Sequence, residues 1–246
     1  MNYILKQIQD YKMYLFDDDE GISKDLIRDG IREIEATEVV KSILNPNWIV
    51  LDIGANIGYY VLMEAKVVKL VYAIEPIKRN IDLLNENIKL NGYENVKTYR
   101  LAVGEDNTNK DILVSKYSNL ATLALDRMNK IHKDWFNEVS VGFENVDVIT
   151  IDSFCDRENI IPDFIRMDIE GYEVEAIKGM NKTLGKMAIG SYLFIEFHPM
   201  FREDKNEMLG SIDNILSYGF ECINYENLRE IIEQAVIAPE AILKKC

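Results

Sequence analysis

The stretch Trp48-Ile49-Val50-Leu51-Asp52-Ile53-Gly54-Ala55-Asn56-Ile57-Gly58-Tyr59-Tyr60 decides the fold of this chain. An apolar run carries an acid near its end, two glycines bracket a tight turn, and an apolar helical segment begins directly after the turn. A second apolar run, residues 70–74, follows and ends in Glu75. This order predicts a βαβ unit, and in open α/β sheets the ligand binds in the cleft at the carboxyl ends of the strands. Gly54 and Gly58 allow the sharp turn and the close approach of a ligand to the backbone.

The composition of this turn predicts which ligand it binds. A turn that holds a dinucleotide pyrophosphate has three glycines and bare backbone N–H groups, whereas this turn has two glycines with Asp52 before them. Asp52 would repel a pyrophosphate but suits an ammonium group. Glu75 follows at about the 20-residue offset from which an acid binds a ribose. We therefore predict an adenosine-containing ligand, S-adenosylmethionine, with Asp52 and the turn at its amino-acid end and Glu75 at its ribose.

Composition and charge limit the class of protein. The chain has 246 residues, of which 48% are hydrophobic and 10% aromatic, enough for one large α/β domain. Lys and Arg number 28 against 42 Asp and Glu, and the net charge of −14 disfavours a nucleic-acid substrate. The three cysteines form no C-x-x-C pair, so we expect neither a zinc site nor a disulfide framework. Without an apolar run typical of a signal peptide or membrane span, the sequence predicts a cytoplasmic protein with no membrane partner.

Periodicity along the chain predicts how it is organised. Residues 1–47 form a helical preface packed on the core, and residues 48–246 form the main domain, within a single globular unit. Strands alternate with helices through the main domain, which is typical of a mostly parallel, doubly wound sheet with helices on both faces. Residues 105–148 are interpreted as an insertion of a hairpin and loops. The predicted elements are helices at 35–44, 77–90, 173–180 and 207–218 and strands at 96–103, 146–151, 163–167, 192–197 and 221–225.

Three blocks of sequence together resemble one family, the FkbM-type S-adenosylmethionine-dependent methyltransferases. The first block is residues 51–60 with Glu75-Pro76 behind it. The second, residues 165–173, is similar to the family's K-x-D-x-E-G-x-E signature, with Arg166 where the family usually has Lys. The third, residues 195–199, is similar to its E-x-H-P strand end. The resemblance extends over roughly residues 30–225.

The resemblance implies a class I, Rossmann-like methyltransferase fold with a seven-stranded sheet, and O-methylation of a small molecule or sugar hydroxyl. Two alternatives stay open: a tRNA or other nucleic-acid methyltransferase, and an NAD-dependent dehydrogenase or a cofactor-binding protein without turnover. The identity of the acceptor and the oligomeric state also stay open. The predicted cofactor-binding residues are Asp52, Gly54, Asn56, Gly58, Tyr59, Glu75, Pro76, Ala102, Val103 and Asp168.

Asp168, Glu170 and His198 are the predicted catalytic residues. Asp168 stands at a strand tip, and we expect it to face the transferred methyl group. His198 also ends a strand, and a histidine of near-neutral pKa can remove a hydroxyl proton; alternatively Asp168 is the base and His198 is structural. Glu173 fits a solvated helix face as well as a functional role, and Arg166 is expected to pair with an acid such as Asp168 or Glu170. Acids beside one histidine can bind a divalent metal, but methyl transfer to an activated oxygen requires none, and we predict no metal.

Overall fold

Elements from the whole chain contribute to a central β-sheet and to two smaller sheets. The structure is a computed structural model that describes residues 2–246. The strands are β1 (Tyr3–Ile8), β2 (Tyr11–Phe16), β3 (Ile49–Ile53), β4 (Leu70–Ile74), β5 (Val96–Tyr99), β6 (Ala102–Val103), β7 (Thr108–Ser115), β8 (Ser140–Ile149), β9 (Phe164–Met167), β10 (Tyr192–Glu196), β11 (Phe220–Cys222) and β12 (Glu240–Lys245). The α-helices are α1 (Ile22–Asp29), α2 (Ile34–Ile43), α3 (Tyr59–Ala65), α4 (Lys78–Asn91), α5 (Lys130–Val139), α6 (Ile151–Glu158), α7 (Glu173–Lys178), α8 (Asn181–Lys186), α9 (Asn206–Ser217) and α10 (Leu228–Gln234). None of these helices, over residues 2–246, has both the length and the apolar character needed to cross a bilayer.

The central sheet has seven strands in the order β11-β12-β10-β9-β3-β4-β5. The pairs β10–β9, β9–β3, β3–β4 and β4–β5 are parallel, and β12 runs antiparallel to both of its neighbours. Strand order reverses beside β3, so the carboxyl ends of β3 and β9 face a crevice that no crossover helix covers. The predicted mostly parallel, seven-stranded sheet is confirmed.

Hydrophobic side chains cover both faces of this sheet. Neighbouring residues of a strand point to opposite faces, so Val50 joins one buried cluster with the residues of α3 and α4, whereas Leu51 joins a second cluster with those of α7 and α9. Both side chains are completely buried. Helices therefore pack on both faces, as predicted, and the polar groups at the strand ends are left at the edge of the sheet.

The amino-terminal segment differs from its prediction. Residues 22–43 are helical in α1 and α2, but residues 3–16 form an antiparallel hairpin, β1–β2, so a wholly helical preface is wrong. The alternation of buried Met13 and Leu15 with less buried neighbours is a strand pattern that sequence reasoning missed. Asn87 of α4 holds the hairpin: its Nδ2 donates to Tyr14 O at 3.2 Å and its Oδ1 accepts from Tyr14 N at 2.7 Å.

Two further parts of the chain depart from the predicted elements. The predicted strand 96–103 is split, because β5 ends at Tyr99 and β6 pairs with β8 in a separate three-stranded sheet, β6-β8-β7. Most of the insertion 105–148 belongs to that sheet and to α5. The strand β12 was not predicted, and it lies between β10 and β11.

Candidate active site

A cleft opens at the carboxyl ends of β3, β4 and β9. Gly54, Glu75 and Asp168 follow these three strands and line the cleft. It is therefore the crevice at which an open α/β sheet binds its ligand.

The glycine turn after β3 forms the floor of the cleft. Gly54 has φ +83°, and a Cβ at this position would overlap the backbone carbonyl of Asp168, so only glycine fits between the two strand ends. Asn56 also adopts a positive φ of 48°. Gly58, with φ +99°, starts α3 and packs against Leu84 behind the turn. Gly58 shapes the turn but does not line the cleft.

Glu75 anchors one end of the cleft. Its Oε2 accepts a hydrogen bond from Asn56 N at 2.9 Å, and its Oε1 accepts one from Ile77 N at 2.9 Å. Burial raises the pKa of Glu75 to about 7, against the lowering effect of these donors. Nδ2 of Asn80 also donates to Oε1, at 3.3 Å, so Oε2 is the oxygen that keeps a lone pair for a further hydrogen bond from a ligand. An apolar wall adjoins it, formed by Leu101, Ala102, Val103 and Ile112.

The structure brings most of the predicted site residues to this cleft. Those that line it are Gly54, Asn56, Tyr59, Glu75, Pro76, Ala102, Val103, Asp168 and Glu170. Three others, Asp52, Gly58 and His198, lie behind its walls.

Asp52 does not meet the cleft, which contradicts its predicted contact with the ligand's amino-acid end. Its side chain is fully buried, and its Oδ1 lies 3.5 Å from Nη1 of Arg166. Glu64 of α3 is equally buried, and burial together with the charge of Asp52 raises the pKa of Glu64 well above its ordinary value. Within residues 2–246 no donor reaches the carboxyl oxygens of either acid. A protonated Glu64 can donate to Asp52, which then serves as the counter-ion of Arg166.

Arg166 links this buried pair to the cleft. Its guanidinium lies over the ring of Tyr60, 4.0 Å from the centroid, and its Nη2 is 3.3 Å from Oδ2 of Asp168. The predicted pairing of Arg166 with Asp168 is therefore present. The Oδ1 atom of Asp168 is buried without a partner among the described residues. Asp168 therefore offers the cleft a carboxylate oxygen that is fixed by Arg166 yet free to accept a hydrogen bond.

Glu170 lies at the other end of the cleft, on a strained turn. Glu170 and Gly171 both have positive φ, 52° and 96°, and for glutamate this conformation costs about 1–3 kcal/mol, a strain that is common at functional sites. Thr122 of the insertion donates through Oγ1 to the carbonyl of Glu170 at 2.7 Å and fixes the turn. Burial raises the pKa of the Glu170 carboxyl to about 8.

His198 lies behind Glu170 and is almost fully buried. Its Nδ1 is hydrogen-bonded to Oε1 of Glu173 at 2.9 Å, and its Nε2 lies 3.4 Å from Oε2 of Glu170. Glu173 is itself fully buried, which contradicts the alternative that its side chain lies on a solvated helix face. Although burial opposes the charge, Glu173 and Glu170 raise the pKa of His198 well above its ordinary value.

A pKa raised in this way favours the imidazolium, in which both ring nitrogens are donors. An imidazolium cannot remove a proton from a hydroxyl, so these surroundings favour another residue as general base, and the role predicted for His198 stays a prediction. The donor atoms of Asp168, Glu170 and His198 lie within 4.8 Å of one another, a spacing that a divalent cation can bridge. The imidazolium and the Arg166 guanidinium already supply positive charge to these carboxylates.

Sequence reasoning missed a group of three acids, one of which lines the cleft. Glu33, Glu196 and Glu240 come from three distant parts of the chain, and their carboxylates lie within 4.8 Å of one another. Burial raises the pKa of Glu240 to about 7. Glu33 accepts from the hydroxyl of Tyr60 at 2.9 Å and pairs with Arg32, and both Arg32 and Glu33 line the cleft. The positive φ of Glu33 carries no signature in the sequence, and only the fold brings the three acids together.

The sheet order and the cleft at its reversal point define a class I methyltransferase fold. A Methylobacillus flagellatus KT structure described as methyltransferase FkbM aligns with a TM-score of 0.51 and 18% identity, over 82% of this chain and 44% of that one. The chain thus spans less than half the length of that relative. An rRNA methylase from Streptococcus thermophilus aligns with a TM-score of 0.53 and 15% identity, over 87% and 97% of the two chains. The M. jannaschii tRNA m1G37 methyltransferase aligns with a TM-score of 0.51 and 14% identity, over 99% and 56%.

The chain belongs to the FkbM methyltransferase family, because the family's profile, described as "Methyltransferase FkbM domain", matches residues 52–222. No curated protein sequence matches the chain significantly. The matched range includes the glycine turn, Glu75, Asp168, Glu170 and His198. The family assignment supports methyl transfer.

Proposed function

We propose that this protein transfers the methyl group of S-adenosylmethionine to a hydroxyl oxygen of a small molecule or sugar. The observation that carries the proposal is the asymmetry of the cleft. Glu75, a carboxyl group suited to a ribose, follows β4, and Glu170, with a pKa of about 8, comes after β9 on the other side of β3. Efficient general bases have pKa values near the working pH.

The residues present fit this cofactor. The buried, unpartnered Oδ1 of Asp168 can accept from the ammonium of the amino-acid end, the role predicted from sequence for Asp52. Glu75 can accept from the ribose hydroxyls, and Pro76, Ala102 and Val103 offer an apolar surface to the adenine. When bound, S-adenosylmethionine supplies a methyl group that its sulfonium already activates.

Glu170 is the proposed base. Its ionised carboxylate accepts the proton of the acceptor hydroxyl, and His198 holds the carboxylate in place through the charge on Nε2, 3.4 Å away. Glu173 in turn fixes the imidazole ring through Nδ1. The other contribution of the chain is positioning, because the fixed turn at Glu170 and the ion-paired Asp168 hold the two ends of the cleft in one geometry.

The group of three acids favours a neutral or cationic acceptor. Glu33 lines the cleft, the carboxylates of Glu196 and Glu240 lie within 4.8 Å of its own, and the whole chain carries a net charge of −14. A phosphate backbone would meet repulsion there. The likeness to RNA methylases is one of fold alone, at 14–15% identity. A polyhydroxyl small molecule matches the carboxylate-lined end better than a polyanion does.

Two measurements, made one after the other, test the proposal. Titration calorimetry with S-adenosylhomocysteine, the demethylated product, should show binding, and NAD at the same concentration should show none. A screen of sugar and small-molecule hydroxyl acceptors with methyl-labelled S-adenosylmethionine should then label an oxygen. Tighter binding of NAD than of the product, or labelling of RNA in preference to every hydroxyl acceptor, would overturn the proposal.

A further inference from the structure

A short segment of the insertion crosses the cleft at its Glu75 end. This segment, residues 117–123, is called the strap here. Ser118, Asn119, Ala121 and Leu123 of the strap line the cleft. The strap follows directly after β7 and belongs to no regular element over most of its length. A backbone bridge between Thr122 and Leu113 of β7 holds its far end, and side chains hold the part around Ser118.

Asp19, in the loop before α1, holds the strap from the amino-terminal segment. Its Oδ1 accepts from Ser118 N at 2.8 Å, and its Oδ2 accepts from Ser118 Oγ at 2.7 Å. The same carboxylate accepts from Gly21 N and Ser23 N at 3.0 and 2.8 Å. Asp19 is only 5% exposed. Burial alone would raise the pKa of Asp19, but the four donors lower it, so the group is a fully bonded carboxylate.

The methyltransferase core holds the strap from the other side. The carbonyl oxygen of Ser118 accepts from Nδ2 of Asn56 at 3.0 Å and from Nδ2 of Asn80 at 2.8 Å. Asn56 belongs to the glycine turn, and Asn80 also donates to Glu75 at 3.3 Å. Ser118 therefore uses its N–H, its hydroxyl and its carbonyl to join the amino-terminal segment to Asn56 and Asn80, two residues that donate hydrogen bonds to Glu75.

The fit between the amino-terminal loop and the strap is close. A Cβ on Gly21 would overlap the side-chain oxygen of Asn119 and lie 3.2 Å from the backbone nitrogen of Ser118, so the loop and the strap are in direct contact here. Ile22, the next residue, lines the cleft together with Ser118 and Asn119. Both sides of this contact thus reach the space that we assign to the cofactor.

We propose that Asp19 is a positioning residue for the cofactor: through Ser118 it holds the strap closed over the Glu75 end of the cleft and so slows cofactor release. Asp19 lies outside the range 52–222 that the family profile matches, so this part of the site comes from the amino-terminal segment of this chain. The proposal rests on the proposed use of S-adenosylmethionine and goes beyond it in assigning control of cofactor exchange to one buried carboxylate.

The test compares Asp19→Asn with Ser118→Ala and with a matched control. Asn has one acceptor oxygen in place of two, so it loses some of the four bonds and turns an N–H₂ group toward donors. Ser118→Ala removes a single hydrogen bond and keeps the strap backbone. Asp17→Asn makes the same charge change at an exposed position two residues away.

The readouts are the dissociation rate of S-adenosylhomocysteine, measured by displacement with excess S-adenosylmethionine, and hydrogen exchange of the strap amides. Because hydrogen bonds to charged groups are the stronger ones, we expect Asp19→Asn to release the product about 10–100-fold faster, with a smaller increase for Ser118→Ala. Exchange of the strap amides should rise in parallel, while the Asp17→Asn variant stays near the wild type in both readouts. A purely structural role would lower the melting temperature without changing the dissociation rate of the folded protein.

The outcomes separate this proposal from the proposed function. If S-adenosylhomocysteine binds to the wild type and leaves Ser118→Ala and Asp19→Asn at the wild-type rate, the role of Asp19 is overturned and the proposed function still stands. Absence of binding to the wild type would overturn both. An Asp19→Asn protein that does not fold leaves Ser118→Ala as the deciding variant.

Discussion

Replacement of Glu170 by glutamine tests the proposed base most directly. The change keeps the size of the side chain and its place on the turn, but an amide cannot accept and hold a proton at neutral pH. A positioned general base contributes on the order of 10²–10⁴-fold. We therefore expect kcat of Glu170→Gln to fall by about that factor with the binding of S-adenosylhomocysteine near the wild-type value.

The proposed base also predicts how much the rate of the wild-type enzyme rises with pH. The carboxyl of Glu170 has a pKa of about 8 because burial disfavours its charge. About one tenth of Glu170 is ionised near pH 7 and about nine tenths near pH 9. The active form is the deprotonated one, so the rate should rise about tenfold between these pH values and level off above them.

The assay follows methyl transfer from labelled S-adenosylmethionine at saturating concentrations of both substrates, in steps from about pH 6 to about pH 9.5. Glu203→Gln, an exposed position outside the cleft, is the matched control and should reproduce the wild-type curve. Loss of the rise in rate with pH in Glu170→Gln would support Glu170 as the general base. A glutamine variant with wild-type turnover and an unchanged pH profile would refute it and leave Asp168 as the candidate base.

Three further predictions follow from the same surroundings. His198→Asn removes the cation that lowers the pKa of Glu170, so the alkaline rise in rate should move to higher pH; a curve that keeps its midpoint would contradict the ion pair. Gly54→Ala should destabilise the fold by more than the roughly 1–3 kcal/mol of backbone strain alone, because its Cβ would overlap a backbone carbonyl. Gly92→Ala, at φ +67° with open space around the Cβ, is the control and should show the strain alone. Equal losses of unfolding free energy for the two variants in urea would exclude the overlap. Burial raises the pKa of the Glu75, Glu170 and Glu240 carboxyls from 4.5 to about 7 or 8. The folded chain therefore binds more protons than the unfolded chain between about pH 4.5 and 8, and its free energy of unfolding should fall as the pH rises through this range. Denaturant titrations at several pH values measure this fall.

Local patterns in the sequence were enough to predict the cleft itself. The apolar runs before Gly54, Glu75 and Asp168 are buried strands, and because such strands end at one edge of a parallel sheet, the residues that follow them meet. Asp52 shows where this reasoning stops, since it lies one strand position before the turn and points into the core toward Arg166. Its direction is set by the pairing of β3 with β9, which is a property of the assembled sheet.

The shifted pKa of His198 could not be predicted from the sequence, for a reason similar to that for Asp52. Its pKa is set by Glu173 and Glu170, which are more than twenty residues away in the chain and become neighbours only through the turn at Gly171. The hairpin at residues 3–16 was missed although its alternating pattern was legible, and β12 was missed because its apolar core of three residues is short. Buried ion pairs and short strands both depend on contacts between distant segments.

The position of β12 between β10 and β11 sets an order in which the molecule can be completed during synthesis. The floor of the cleft needs only residues up to Asp168, so it can form while the later part of the chain is still being made. β11 has no partner in the sheet until residues 240–245 have emerged, because it pairs with β12 alone. Glu240 arrives with that strand and joins Glu33 and Glu196. The nascent protein would therefore form the glycine turn and Asp168 first and bring Glu240 to its neighbours only when β12 pairs with β10.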